Sequence, residues 1–84
     1  MEPVTCAQIE GYLNQAEFLS MSGNHRACSD ALKTAFALLQ LKIYGVIKYD
    51  LETIARNPEA LAKFISNIPD NESRVLFNRL STQN

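Results

Sequence analysis

The sequence is short of the residues from which most active sites are built. Histidine occurs once, as His25, cysteine twice, as Cys6 and Cys28, and tryptophan not at all. A zinc site needs three or four protein ligands. His25 and Cys28 supply two, and Cys6 is remote in sequence, so no metal centre is expected. The three glycines, Gly11, Gly23 and Gly45, are scattered, and no phosphate-cradling loop can be assembled from them. Ser20, Ser22 and Ser29 lack the glycine elbow that activates a serine nucleophile. Asp50, Glu52 and Glu59 lie near one another, but they flank expected helix starts, where acids complement the dipole without doing acid–base work. The expectation is therefore a chain that is not an enzyme, with no catalytic residue, no metal and no cofactor.

Charge of one sign is equally scarce. The formal net charge is −1, and nothing global draws the chain to nucleic acid or to an anionic membrane. Residues 1–24 carry Glu2, Glu10 and Glu17 and no base, whereas residues 25–48 carry Arg26, Lys33, Lys42 and Lys48 against Asp30. The simplest reading is two neighbouring helices with weakly attracting solvated faces. The start, MEPVTCAQIEG, has an acid where a signal peptide has a basic cluster. The most apolar run, AFALLQLKIYGVI, is interrupted by Gln40 and Lys42 and is shorter than the ~20 residues of a membrane span. A cytoplasmic chain with two reduced cysteines, each a small apolar residue of the core, is the expectation.

What the chain does have is hydrophobic residues, 46% of it, at helical spacing. At 84 residues it is a single domain with a thin stability margin. Thr5 and Gln8 form a capping box, with Val4 and Ile9 as its hydrophobic staple. From there Ile9, Tyr12, Leu13, Ala16, Leu19 and Ser20 make one stripe, which Ser22-Gly23-Asn24 ends. Asn24 caps a second helix expected to run to about residue 47, through Gly45, with Phe36, Leu39 and Ile43 in the core. Its apolar stripe is wide, extending to Val46 and Ile47, so the helix should be largely buried. Residues 41–49 also alternate in a way that suits a strand, although a lone strand has no partner. A short third helix follows Asp50. Asn57-Pro58 then starts a fourth, carrying Leu61, Phe64 and Ile65. Pro69 ends it and helps begin a fifth, with Val75, Leu76 and Leu80 on one face. Residues 1–4 and 81–84 are expected to fray. The fold class is thus all-α, a small bundle of four to five helices that begins with an antiparallel helical hairpin.

The segment GNHRACSDALKTAFAL resembles the turn and second helix of a tetratricopeptide-type repeat. Upstream, Tyr12 stands where that family has its large aromatic, Ala16 where it has a small residue and Leu19 at a bulky position. Downstream, Cys28 and Ala35 fall on small positions and Leu32 on a bulky one. The likeness covers about residues 9–42. It departs at Gln15, where Leu is usual, at Gln40, where a closing Pro often sits, and in having no second repeat after Ile43. A single repeat cannot bury its face on identical neighbours, so the hairpin must be completed by the C-terminal helices. The resemblance, which extends loosely to small bacterial secretion chaperones and short anti-regulators, implies a protein- or peptide-binding role.

The functional expectation is a small helical adaptor, chaperone or regulator that acts by binding another protein or peptide, with a homodimer as a further possibility. Tyr44, Tyr49 and Phe77 are the candidate contact residues, because a tyrosine ring buries area while its hydroxyl stays satisfied at a rim. The alternative is a helical DNA-binding regulator, with Arg74, Asn78 and Arg79 reading base edges and Lys48 contributing charge. Against it, Asp70 and Glu72 stand at the end of that helix that would enter the groove.

Overall fold

The computed structural model describes residues 3–83, so Glu2 of the acidic N-terminal third and Asn84 of the tail lie outside the described residues. Five α-helices follow in order: α1 (Cys6–Met21), α2 (His25–Tyr44), α3 (Leu51–Arg56), α4 (Pro58–Ser66) and α5 (Asn71–Gln83). The molecule is a small all-α bundle, and among the described residues no strand forms.

Local capping chemistry places most helix ends. The Thr5 hydroxyl accepts from the Gln8 backbone N–H at 3.3 Å, and the Thr5 N–H donates to Gln8 Oε1 at 3.0 Å. Val4 packs against the core to which the fully buried Ile9 belongs, as a staple requires. At the far end of α1, Gly23 has φ 78°. Its N–H donates to the Ser20 carbonyl, and that of Asn24 to the Leu19 carbonyl, a Schellman closure. Asn24 then caps α2 through Ala27, and Asn57 caps α4 through Ala60, each at 3.2 Å. Asp70 caps α5, accepting the Ser73 N–H at 2.7 Å.

α1 and α2 form the antiparallel hairpin, and α5 packs against both. The three inner faces meet in one core that includes Ile9, Leu13, Ala16, Leu32, Ala35, Leu39, Leu76 and Leu80. Three phenylalanines from three helices meet in it. Phe64 of α4 lies 5.2 Å from Phe36 of α2 and 4.9 Å from Phe77 of α5, centroid to centroid. Tyr44 and Tyr49 add their rings edge-on to Phe64 at 5.9 and 6.0 Å. Phe64 is therefore an aromatic hub that joins the short C-terminal helices to the hairpin.

The structure corrects several expectations. α2 stops at Tyr44, three residues early, because Gly45 takes φ 77° and closes the helix onto the Leu41 carbonyl. Val46 and Ile47 consequently leave the helix and are 52% and 58% exposed. The alternation in 41–49 corresponds to a helix end followed by a loop. Ile65 and Val75 point outward, because Phe64 and Leu76 beside them take the inward positions of α4 and α5. α4 ends at Ser66, ahead of Pro69. Residues 81–83 continue α5, and Val4 is half-buried against the core. Both cysteines are free thiols, Cys28 buried and Cys6 only half-buried.

The charge reading also changes. The acids of α1 do not pair with the bases of α2. Glu17 pairs with Arg79 of α5 at 3.0 Å, Lys33 with Glu52 of α3 at 3.4 Å, and Lys42 with Asp70 at 3.3 Å. Each base of α2 that pairs reaches forward to a C-terminal element, because α5 occupies the flank of α1 where the acids lie.

Candidate functional site

The loop between α2 and α3 is built around one buried polar side chain. Gln40 is fully buried, yet it lies on the α2 face that looks onto residues 48–49. Its Oε1 accepts the backbone N–H of Lys48 at 2.9 Å and that of Tyr49 at 2.8 Å, and its Nε2 donates to the Tyr49 carbonyl at 2.9 Å. A side-chain amide here does what a neighbouring strand would do. It satisfies loop backbone that has no ladder, so a segment that alternates like a strand needs no strand partner.

With its root clamped, the loop presents its tip. Val46 and Ile47 stand exposed between the two half-buried tyrosines. The Lys48 ammonium lies 4.5 Å from the centre of the Tyr44 ring, a cation–π contact on the solvent side. Burial, with a smaller contribution from neighbouring Tyr49, pushes the Tyr44 phenol above its ordinary value, and a hydrogen bond with Asn67 opposes this. The loop is thus an apolar tip with a basic shoulder on a fixed backbone.

The three residues singled out from sequence for protein contact fall in one neighbourhood but differ in accessibility. Tyr44 and Tyr49 stand at the edge of the core. Phe77 is 4% exposed and belongs to the core itself. It forms the floor of a shallow groove of about 170 Å³ whose walls are Leu51, Ile54, Leu61 and Leu80. Sequence reasoning missed Gln40 as the clamp of the loop and Val46 and Ile47 as residues of the loop itself. The available signal was Gly45, followed by two β-branched residues and an alternating segment.

The residues of the DNA-reading alternative are not gathered for that task. Arg74 and Asn78 share the exposed side of α5, one turn apart. Arg79 is turned toward α1, where its Nη2 donates to Asn14 Oδ1 at 2.8 Å and to Glu17 Oε1 at 3.0 Å. Lys48 stands on the α2–α3 loop beside Tyr44.

Two further polar clusters tie elements together. Lys42 Nζ donates to Ser73 Oγ at 3.0 Å and to Asp70 Oδ2, linking α2 to the start of α5. The Ser73 N–H holds the Asp70 carboxyl below the usual carboxylate range against the opposing effect of burial, with smaller help from the Ser73 hydroxyl and Lys42. The Cys6 thiol donates to Glu72 Oε2 at 3.2 Å, and that hydrogen bond pushes the thiol above its ordinary value. Among the described residues no three His, Cys, Asp or Glu side chains are grouped to hold a metal, and no buried side-chain polar atom lacks a partner. Among the same residues no helix is long and apolar enough to cross a membrane. No protein-family model, curated protein or solved structure matches this chain.

Proposed function

We propose that this chain is a non-catalytic protein-binding module, a small helical adaptor, chaperone or regulator that engages another protein through the loop between α2 and α3. The observation that carries this reading is the exposure of Val46 and Ile47 on backbone fixed by the buried Gln40 amide. Apolar side chains on a preorganised loop bind without a large ordering cost, because the backbone entropy was lost on folding. Tyr44 and Tyr49 flank the tip and extend the contact, and Lys48 supplies a polar rim. The likeness of the hairpin to a tetratricopeptide-type repeat points to the same class of function.

The test uses the full chain as bait in extracts of its native host, in parallel with Val46→Asp/Ile47→Asp. Both positions are exposed, so this double variant should keep its helical circular dichroism. A partner retained by the wild-type chain through several hundred millimolar salt, and lost with the double variant, supports the reading. A complex that ignores the double variant, dissolves steeply with salt and weakens with Arg74→Ala would overturn it in favour of nucleic-acid binding.

A further inference from the structure

The outward side of α1 carries a pattern that the monomer uses only at Asn14, whose Oδ1 accepts from Arg79. Ala7, Gly11, Asn14, Phe18 and Met21 follow one another at alternating four- and three-residue steps, the spacing of one helical seam. All five are exposed, Phe18 at 69% and Met21 at 89%. The inner seam of α1, Ile9, Leu13 and Ala16, already serves the core. Gly11 sits in mid-helix, where glycine costs about 1 kcal/mol relative to alanine. Among the described residues nothing needs it there, since a Cβ on Gly11 would meet no atom within 4 Å. A helix exposing large apolar side chains at one end of a seam and small residues at the other is complementary to itself when reversed.

We infer that this seam is the contact surface for a second copy of the chain, with the two α1 helices crossing antiparallel about Asn14. The register follows from the spacing. Met21 and Ala7 lie equally far from Asn14 on opposite sides, so Met21 of each copy meets Ala7 of the other. Phe18 enters the hole beside Gly11, where the missing Cβ lets the helices approach. The seam itself is uncharged, and the flanking charges complement each other. Glu10 and Arg79 both border the cleft between α1 and α5. Reversal about Asn14 carries Glu10 of the second copy to the level of Phe18, one residue beyond Glu17, whose carboxylate already holds Arg79. The guanidinium, with donors to spare, then bridges acids from both copies. This two-fold arrangement repeats each contact twice, as a closed dimer requires. It uses a different face from the α2–α3 loop, so neither inference depends on the other.

Sedimentation velocity of the full chain from about 1 to several hundred micromolar tests the inference. The wild-type chain should pass from monomer to dimer within this range. Gly11→Leu fills the hole and should leave a monomer throughout. Because leucine is a better helix former than glycine, the same variant should melt no lower than the wild type at low micromolar concentration, which separates lost contact from lost folding. Glu10→Lys, which sets a base against Arg79 of the other copy, should weaken the dimer about tenfold or more. A wild-type chain that stays monomeric across the range overturns the proposal, as does a dimer whose dissociation constant is unchanged in Gly11→Leu.

Discussion

Gln40 shows how much one side chain can decide. Its amide answers three backbone groups that would otherwise be left in a partly buried loop. Gln40→Leu preserves approximate volume and removes the polar partner. It should cost about 1–3 kcal/mol, the penalty for stranding buried donors and acceptors, and urea unfolding will read it. Hydrogen exchange at the Lys48 and Tyr49 amides should accelerate more than at amides of the α2 core. At Cys6 the Glu72 carboxylate holds the thiol in its protonated form. Alkylation of Cys6 should therefore be slow near neutral pH, with its midpoint displaced upward. In Glu72→Ala the midpoint should return toward the ordinary thiol range, about 8.5, with faster labelling at pH 8. An unchanged labelling rate in that variant would show that the contact does not control the thiol. Neither feature was legible in the sequence. Gln40 stands nine residues from Tyr49, and Cys6 stands 66 from Glu72. Nothing in residue type announces which distant group a polar side chain will meet.

At the scale of elements, the helix starts were legible and one helix end was not. Thr5, Asn24 and Asn57 act through hydrogen bonds within three residues of themselves, so their sequence context contains their whole structural cause. Asp70 acts as locally, although its acid suggested a first-turn residue and not the cap. Gly45 is different. Glycine in a helical pattern can be a tolerated interior residue or a terminator, and here the capture of residues 48–49 by Gln40 selects the second. Gly45→Ala should destabilise by roughly 1 kcal/mol, because an L side chain is disfavoured at this left-handed φ. The variant's midpoint in a thermal melt followed by circular dichroism should fall by several degrees. A rise would mean that α2 extends through residue 47 after all. The packing partners of α1 and α2 were legible only in part. Periodicity identified the inner faces from Ile9 to Leu39, but α5 and the Phe64 hub complete them from far along the chain. The expectation that the C-terminal helices must cover the hairpin came from counting unburied faces, and it did not say which helix would lie where. Val46 and Ile47 were assigned to the helix for the same reason that Gly45 was. The contact loop therefore became visible only once the helix end was fixed.

For the whole molecule, stability is a small sum resting on few residues. A chain of 84 residues has on the order of 4–13 kcal/mol in hand. Phe64→Ala removes the ring that meets Phe36, Phe77, Tyr44 and Tyr49, and it should cost about 3–5 kcal/mol. Near-ultraviolet circular dichroism should lose its tyrosine signal well below the wild-type melting temperature. A near-wild-type melt would contradict the hub. The dependence on pH has two limbs of opposite sign. Asp70 is depressed in the folded state, so its contribution is complete above the ordinary carboxylate range near 4 and is lost as pH falls through the depressed value. Cys6 and Tyr44 are raised, so theirs is complete below the ordinary thiol and phenol values and is lost as pH climbs through the raised ones. Stability should therefore be greatest between mildly acidic and mildly alkaline pH. Asp70→Asn, which keeps an amide oxygen for Ser73 but cannot titrate, should flatten the acid limb in unfolding experiments run as a pH series.

The position of the aromatic hub also bears on synthesis. The hairpin of α1 and α2 leaves the ribosome first, with Ile9, Leu13, Phe36 and Leu39 facing a core that does not yet exist. Phe64 arrives later, and Phe77 and Leu80 only with the last helix, although α1 and α2 both need α5 against them. The nascent chain must therefore carry an open apolar face until α5 has been made. α5 acts as the latch, and the bundle can close only once that helix has emerged.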